Sequence, residues 1–214
     1  MAVWFVNMSN LGITLTLISA MATAHAQTAA RCGPMVEENQ YGPYDYVTQN
    51  DKVALVDRFH FLPHVEALLR PKSRSFGGDL TYTLQRIPNH HRALITLYRL
   101  GVRENSPQPT GLGHPIDCYF DYAVQFAPKD LVTKMIYAQH LSVTGRSDHA
   151  VNLLEQVTLS AEDNPFTHFN VGMIYFEMKR YDLARVQALK ASALGFNKPE
   201  LINLLKQAGQ WQDQ

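Results

Sequence analysis

The 214-residue chain has no surplus charge: nineteen Lys and Arg balance nineteen Asp and Glu. That leaves no electrostatic case for nucleic-acid binding, which needs a clustered basic excess to meet phosphates. Cysteine is nearly missing. Cys32 and Cys118 fit neither the CxxC spacing of redox catalysis nor a zinc knuckle, and no CxxCH haem signature occurs. Gly111-Leu112-Gly113-His114 has the glycines of a phosphate loop but not the Lys-Ser/Thr that must follow. No nucleophile comes with a base, so the sequence offers no catalytic site, and neither enzyme activity nor a cofactor is expected.

Charge is also absent locally. "MAVWFVNMSNLGITLTLISAMATAHA", residues 1–26, holds no Lys, Arg, Asp or Glu. Its apolar run, Leu11 to Met21, is shorter than the roughly 20 residues a bilayer span needs. It ends in Ala24-His25-Ala26, the A-x-A order that signal peptidase accepts. The segment reads as a signal peptide with the mature chain starting near Gln27; the alternatives are a membrane anchor or an N-terminal helix. The positive charge usual before the apolar run is missing, and translation from Met8 would keep that run whole. Arg31 stands where a lipid-anchor motif before Cys32 wants a small residue. The expected location is therefore periplasmic or secreted, without a membrane span after cleavage. In such a compartment Cys32 and Cys118 read as one disulfide closing a loop of more than eighty residues. The alternative is two buried free thiols.

What the chain has is a repeat. Residues 131–164, "LVTKMIYAQHLSVTGRSDHAVNLLEQVTLSAEDN", align with residues 165–198, "PFTHFNVGMIYFEMKRYDLARVQALKASALGFNK", at a period of 34. Ala138 faces Gly172, Leu141 faces Tyr175, Asp148 faces Asp182 and Ala150 faces Ala184. Small residues recur where two helices would cross closely and large ones recur opposite them. Upstream, "NHHRALITLYRLGVRE" and "PIDCYFDYAVQFAPKD" form a looser pair, joined by the Pro/Gly loop "NSPQPTGLGH". Tyr98 and Ile116 there replace the small residues, which predicts a looser helix crossing.

This pattern resembles the tetratricopeptide repeat (TPR), a helix–turn–helix unit of 34 residues. The resemblance covers roughly residues 89–209 and is strongest over 131–198. It implies an all-α, right-handed α-solenoid of about three units: 89–130 (degenerate), 131–164 and 165–198. An amphipathic helix in 199–214 would cap it. Residues 27–88 fall outside the repeat. "YGPYDYVTQND" is turn-rich, "FLPHVEALLR" is a short helix from Pro63, and "GGDLTYTLQRIP" is another with Asp79 as N-cap. Asn89 is expected to cap the helix after it. This segment should fold over the first unit as an N-terminal cap. "CGP…YGPYDY" and "GGDLTYTLQRIPNHHRAL" ahead of repeats look like a group of exported bacterial TPR proteins, a likeness that implies a compartment and no activity.

In the TPR family the first helix of each unit lines a concave groove. Carried over, that register points Arg92, Ile95, Arg99, Val102 and Arg103 into the groove from the first unit. Val132, Met135, Gln139, Ser142 and Val143 follow from the second, and Phe166, Phe169, Met173, Phe176 and Glu177 from the third. Val171, Gly172 and Tyr175 point to the core. Three Phe and a Met on one open face suit a protein or peptide partner. Against this, Phe166 and Phe169 could be covered by residues 199–214 or by the second unit, and the Arg row could pair with Glu104 and Asp117. The chaperone-tail clamp of eukaryotic TPR proteins does not apply, since Ile95 and Arg99 stand where it needs Lys and Asn. The expected function is an exported adaptor, with assembly of a cell-envelope complex as its expected setting. The alternative is a metal-handling or redox accessory protein using His60, His64, His90 and His91. Adjacent His90 and His91 would point about 100° apart on a helix, however, and Pro63 interrupts the i,i+4 spacing of His60 and His64.

Overall fold

The computed structural model describes residues 32–34 and 41–211. The signal-peptide reading of residues 1–26 lies outside them. Ten α-helices and no strand occur among the described residues: α1 (Asn50–Phe59), α2 (Pro63–Glu66), α3 (Phe76–Arg86), α4 (His91–Glu104), α5 (Ile116–Phe126), α6 (Leu131–Val143), α7 (Ser147–Ala161), α8 (Pro165–Glu177), α9 (Tyr181–Ala193) and α10 (Glu200–Gln207). None is long and apolar enough to cross a membrane.

The backbone repeats itself at the sequence period. Asp130 caps α6 by accepting from Val132 N and Thr133 N at 3.1 and 3.2 Å. Asn164 caps α8 in the same way, from Phe166 N and Thr167 N at 3.0 and 3.2 Å. Short carboxylate and amide side chains do this well because they reach the free N–H groups of a first turn. The exits match too. Gly145 and Lys179 both adopt left-handed backbone, at φ 79° and 58°. Arg146 N then bonds Leu141 O and Arg180 N bonds Tyr175 O, both at 2.9 Å. Glycine enters that conformation without a side-chain penalty; Lys179 bears one.

Neighbouring helices pair along the chain, α4 with α5, α6 with α7 and α8 with α9, while α4 also touches α6, α6 touches α8 and α8 touches α10. Ala138, Ala150 and Ala184 are wholly buried at the close approaches. Two apolar clusters result. One joins Phe61, Val65, Leu80 and Leu84 of the N-terminal segment to α4 and α5; the other runs from Met135 to Leu205. They meet on α6, where Ile136 faces the first and Ala138 and Leu141 the second.

Cys32 and Cys118 lie at disulfide distance, with Cα atoms 5.5 Å apart and 86 residues between them in sequence. Both are buried in the first cluster, so the link ties the N-terminal segment to α5. Closing a loop of that length contributes about 4–5 kcal/mol in the chain-entropy treatment.

Two local expectations are corrected. Asp79 is not an N-cap: Ser75 caps α3 by accepting from Gly78 N, while buried Asp79 accepts from Lys72 N and Ser73 N at 2.7 and 3.0 Å. Asn89 does not cap α4. His90 does, its Nδ1 accepting from Ala93 N at 3.2 Å, while Asn89 bridges Tyr46 N and the Asp130 carboxylate. The first helix pair is the looser one, as expected: α4 and α5 meet far less extensively than α6 with α7 or α8 with α9. Its small residue sits one turn later, at Gly101, where a Cβ would lie 2.3 Å from Ile116 Cδ1. The large Ile116 and the small Gly101 exchange the roles held elsewhere by alanines.

Candidate functional site

The four apolar residues assigned to the groove lie along one side of α8. Phe166 is 61% exposed, and Phe169, Met173 and Phe176 are half-buried, whereas Val171, Gly172 and Tyr175 on the other side are buried. Phe169, Met173 and Phe176 pack against the second apolar cluster, which includes residues of the preceding unit and of α10. Phe196, from the loop between α9 and α10, sits edge-on against Phe166 and Phe169, with ring centres 4.7 and 4.9 Å away. Phe176 meets Tyr181 at 5.4 Å. On α6, Gln139 is half-buried and Val132 and Val143 are exposed, but Met135 is only 6% exposed and belongs to the core. Met135 is thereby withdrawn from the groove.

The arginine row is also redrawn. Arg92 forks onto Glu66 of α2 and reaches Asp57 of α1 at 3.1 Å, so it fastens the N-terminal segment to α4. Arg103 donates to Leu68 O at 2.8 Å and lies 4.6 Å from the centre of the Phe76 ring. Neither Glu104 nor Asp117 pairs with these arginines: Glu104 accepts from Thr110 N and Asp117 binds elsewhere. Arg99 and Arg103 are both exposed, and neither forms an ion pair among the described residues. Ile95 packs against the first cluster.

His90 and His91 share the Tyr46 ring, with centres 4.5 and 4.6 Å away, but bind different carboxylates. His60 stacks on Tyr82 at 3.9 Å. His64 is half-buried on α2. His90 Nε2 lies 2.8 Å from Asp57 Oδ1, and His91 Nε2 lies 2.7 Å from Asp130 Oδ2. No group of three or more His, Cys, Asp or Glu suited to a metal occurs among the described residues. Burial raises the Asp130 carboxyl, but hydrogen bonds from His91 and Asn89 outweigh it and bring it down to about 2. Burial lowers His90, opposed by its hydrogen bond to Asp57.

His90 should make folding sensitive to pH. Its Nδ1 accepts the Ala93 N–H, so the neutral ring carries its proton on Nε2 toward Asp57. Protonation would put a hydrogen on Nδ1, break the cap and set a cation at a helix N-terminus. With the folded value below the unfolded one of about 6.5, the unfolded chain takes up the proton first. This stability is complete above about pH 6.5 and is lost as pH falls toward the folded value. His90→Asn keeps a capping oxygen and cannot titrate. Its melting temperature should stay flat where that of the wild type declines, measured by circular dichroism above the range where Asp130 is protonated. Parallel curves would show that His90 is not the group responsible.

A polar network that the sequence did not suggest joins the end of α6 to the start of α5. Asp117 accepts from Arg146 Nη1 and Nη2 at 2.7 and 2.9 Å, and His140 Nε2 is 2.8 Å from Asp117 Oδ1. Burial raises the Asp117 carboxyl, but His140 and Arg146 hold it well below the usual carboxylate range. His140 is nearly buried and stacks on Phe120 at 4.9 Å. The 23- and 29-residue separations within this trio carry no periodic signal, which is why pattern reading passes over it.

Comparison with protein-family profiles, characterised proteins and solved structures finds no match to this chain.

Proposed function

We propose that the chain is an exported adaptor of the TPR kind, an α-solenoid that holds a protein or peptide segment along α4, α6 and α8. The observation that carries this is the α8 stripe. Phe166, Phe169 and Met173 stay partly exposed although Val171, Gly172 and Tyr175 of the same helix are buried. Folding gives no reason to keep such a face open; binding does. The repetition of caps and exits at 34 residues and the contacts of α4, α6 and α8 with one another support the solenoid reading. The disulfide-distance cysteines fit an oxidising compartment.

Phe166→Ala is the discriminating variant, since among the described residues its one ring contact is with Phe196. Partner capture from the periplasm, read by mass spectrometry against wild type, should fall about thirtyfold, as for loss of a large apolar anchor. The melting temperature should hardly move. Undiminished capture of the wild-type partner by Phe166→Ala would end the adaptor reading.

A further inference from the structure

We propose that the cavity between the C-terminal ends of α4 and α6 and the start of α5 is a pocket for an aromatic side chain, Tyr or Trp, of the segment held in the groove. The cavity measures about 550 Å³. Its apolar walls include Val102, Ile116 and Val143, and Arg146 lines it as well. Val102 and Val143 are 59% and 55% exposed, so two branched apolar side chains stand at its margin with nothing over them among the described residues. In the register used above both belong to the inner face, which makes the cavity continuous with the groove. The source of the ring, a partner's side chain, rests on the adaptor reading; the chemistry of the cavity does not.

Arg146 decides what kind of ligand fits. Its Nη1 and Nη2 both donate to Asp117, and its Nε and Nη2 donate to Thr144 Oγ1 at 3.1 and 2.9 Å. Thr144 Oγ1 is itself held by donating to His140 O at 2.8 Å. The guanidinium is therefore locked in place with its charge already matched by Asp117, and only one Nη1 hydrogen is unused. A ligand carboxylate would find one donor and a carboxylate competitor. What the group still offers is the face of a planar cation, which attracts an aromatic ring and not a branched aliphatic chain. A volume of about 550 Å³ is ample for one aromatic ring, and apolar walls with a few fixed polar groups are the usual make-up of a specific small site.

The test is an NMR titration of the purified protein with N-acetyl-tryptophan amide and N-acetyl-tyrosine amide, set against N-acetyl-leucine amide and N-acetyl-tyrosine with its free carboxylate. The aromatic amides should give saturable shifts at the amides of Gly101, Val102 and Val143, with affinity about tenfold above the leucine amide and no gain from the carboxylate. Arg146→Lys keeps the charge and removes the plane, and should weaken the aromatic amides about tenfold. Val143→Glu, at an exposed position, should do the same without touching the Asp117 network, and it carries the test should Arg146→Lys melt early. Equal binding of the leucine amide, tighter binding of the carboxylate, absence of saturation, or indifference to Val143→Glu would each overturn the pocket. Phe166→Ala separates this from the groove. It should leave the amide titration unchanged, so a failed titration sinks the pocket alone and undiminished partner capture in Phe166→Ala sinks the groove alone.

Discussion

Gly172→Leu should lower the melting temperature by about 6–12 °C, equivalent to about 3 kcal/mol of overpacking in a chain of this size. A Cβ at Gly172 would lie 2.5 Å from Leu201 Cδ2, 3.2 Å from Gln187 Cβ and 3.4 Å from Ala184 O. The nearest obstacle is thus α10, and the partner helix α9 stands just behind it. A single methyl meets the end of a flexible side chain. Gly172→Ala should accordingly be tolerated, because Leu201 can rotate and alanine favours helix by about 0.5–1 kcal/mol over glycine. The further carbons of leucine meet the Cβ of Gln187 and the backbone of α9, which cannot turn aside. Thermal unfolding of wild type, Gly172→Ala and Gly172→Leu gives the comparison. Equal melting of the leucine variant and wild type would mean that α8, α9 and α10 are not packed as described. α10 would then not be the cap that covers Leu201 and Leu205, both buried here.

Gly77→Ala should cost a similar amount for one methyl group. Gly77 lies in the first turn of α3, and a Cβ there would sit 2.5 Å from Leu112 N, 2.5 Å from Thr110 O and 2.8 Å from Gly111 C. All three atoms are backbone, so no side chain can rotate to relieve the contact, and the loop from Asn105 to Pro115 must lift. The expected loss is about 3 kcal/mol, against a helix propensity that favours alanine. Urea unfolding measures it through the midpoint. The same loop supplies Ser106 and Pro107 to the cavity, so Gly77→Ala should also blunt the aromatic-amide titration. Gly172→Ala, on the far side of α6, should not. A Gly77→Ala protein as stable as wild type would show that loop and helix are not in contact.

Periodicity made the 34-residue helix pairs legible, because burial at a close helix crossing demands a small residue at a fixed place in each unit. Ala138, Ala150, Gly172 and Ala184 are the visible trace of that demand, and all four are buried. Prolines and the Pro/Gly loop marked where the helices of residues 89–130 end. Caps were less legible, since Ser75, Asp79, Asn89 and His90 all have side chains able to accept a backbone N–H. Only the packed chain decides which one faces a helix start, and at α4 it is the buried histidine.

Arg92 and Met135 belong to the groove by register alone, yet neighbours from other elements claim them: Glu66 and Asp57 hold the first, and the second apolar cluster buries the other. The Asp117–His140–Arg146 network and its cavity depend on three helix ends meeting, which no local pattern records. Periodicity and composition recorded the helices of residues 89–209, the small-residue crossings of 131–198 and the two cysteines able to join N-terminal segment to repeat. They did not record α1, whose start lies in a stretch that reads as turn-rich. Which polar side chains pair, which apolar ones stay open and where a cavity remains were decided only by the tertiary structure, because those depend on residues far apart in the chain competing for the same space.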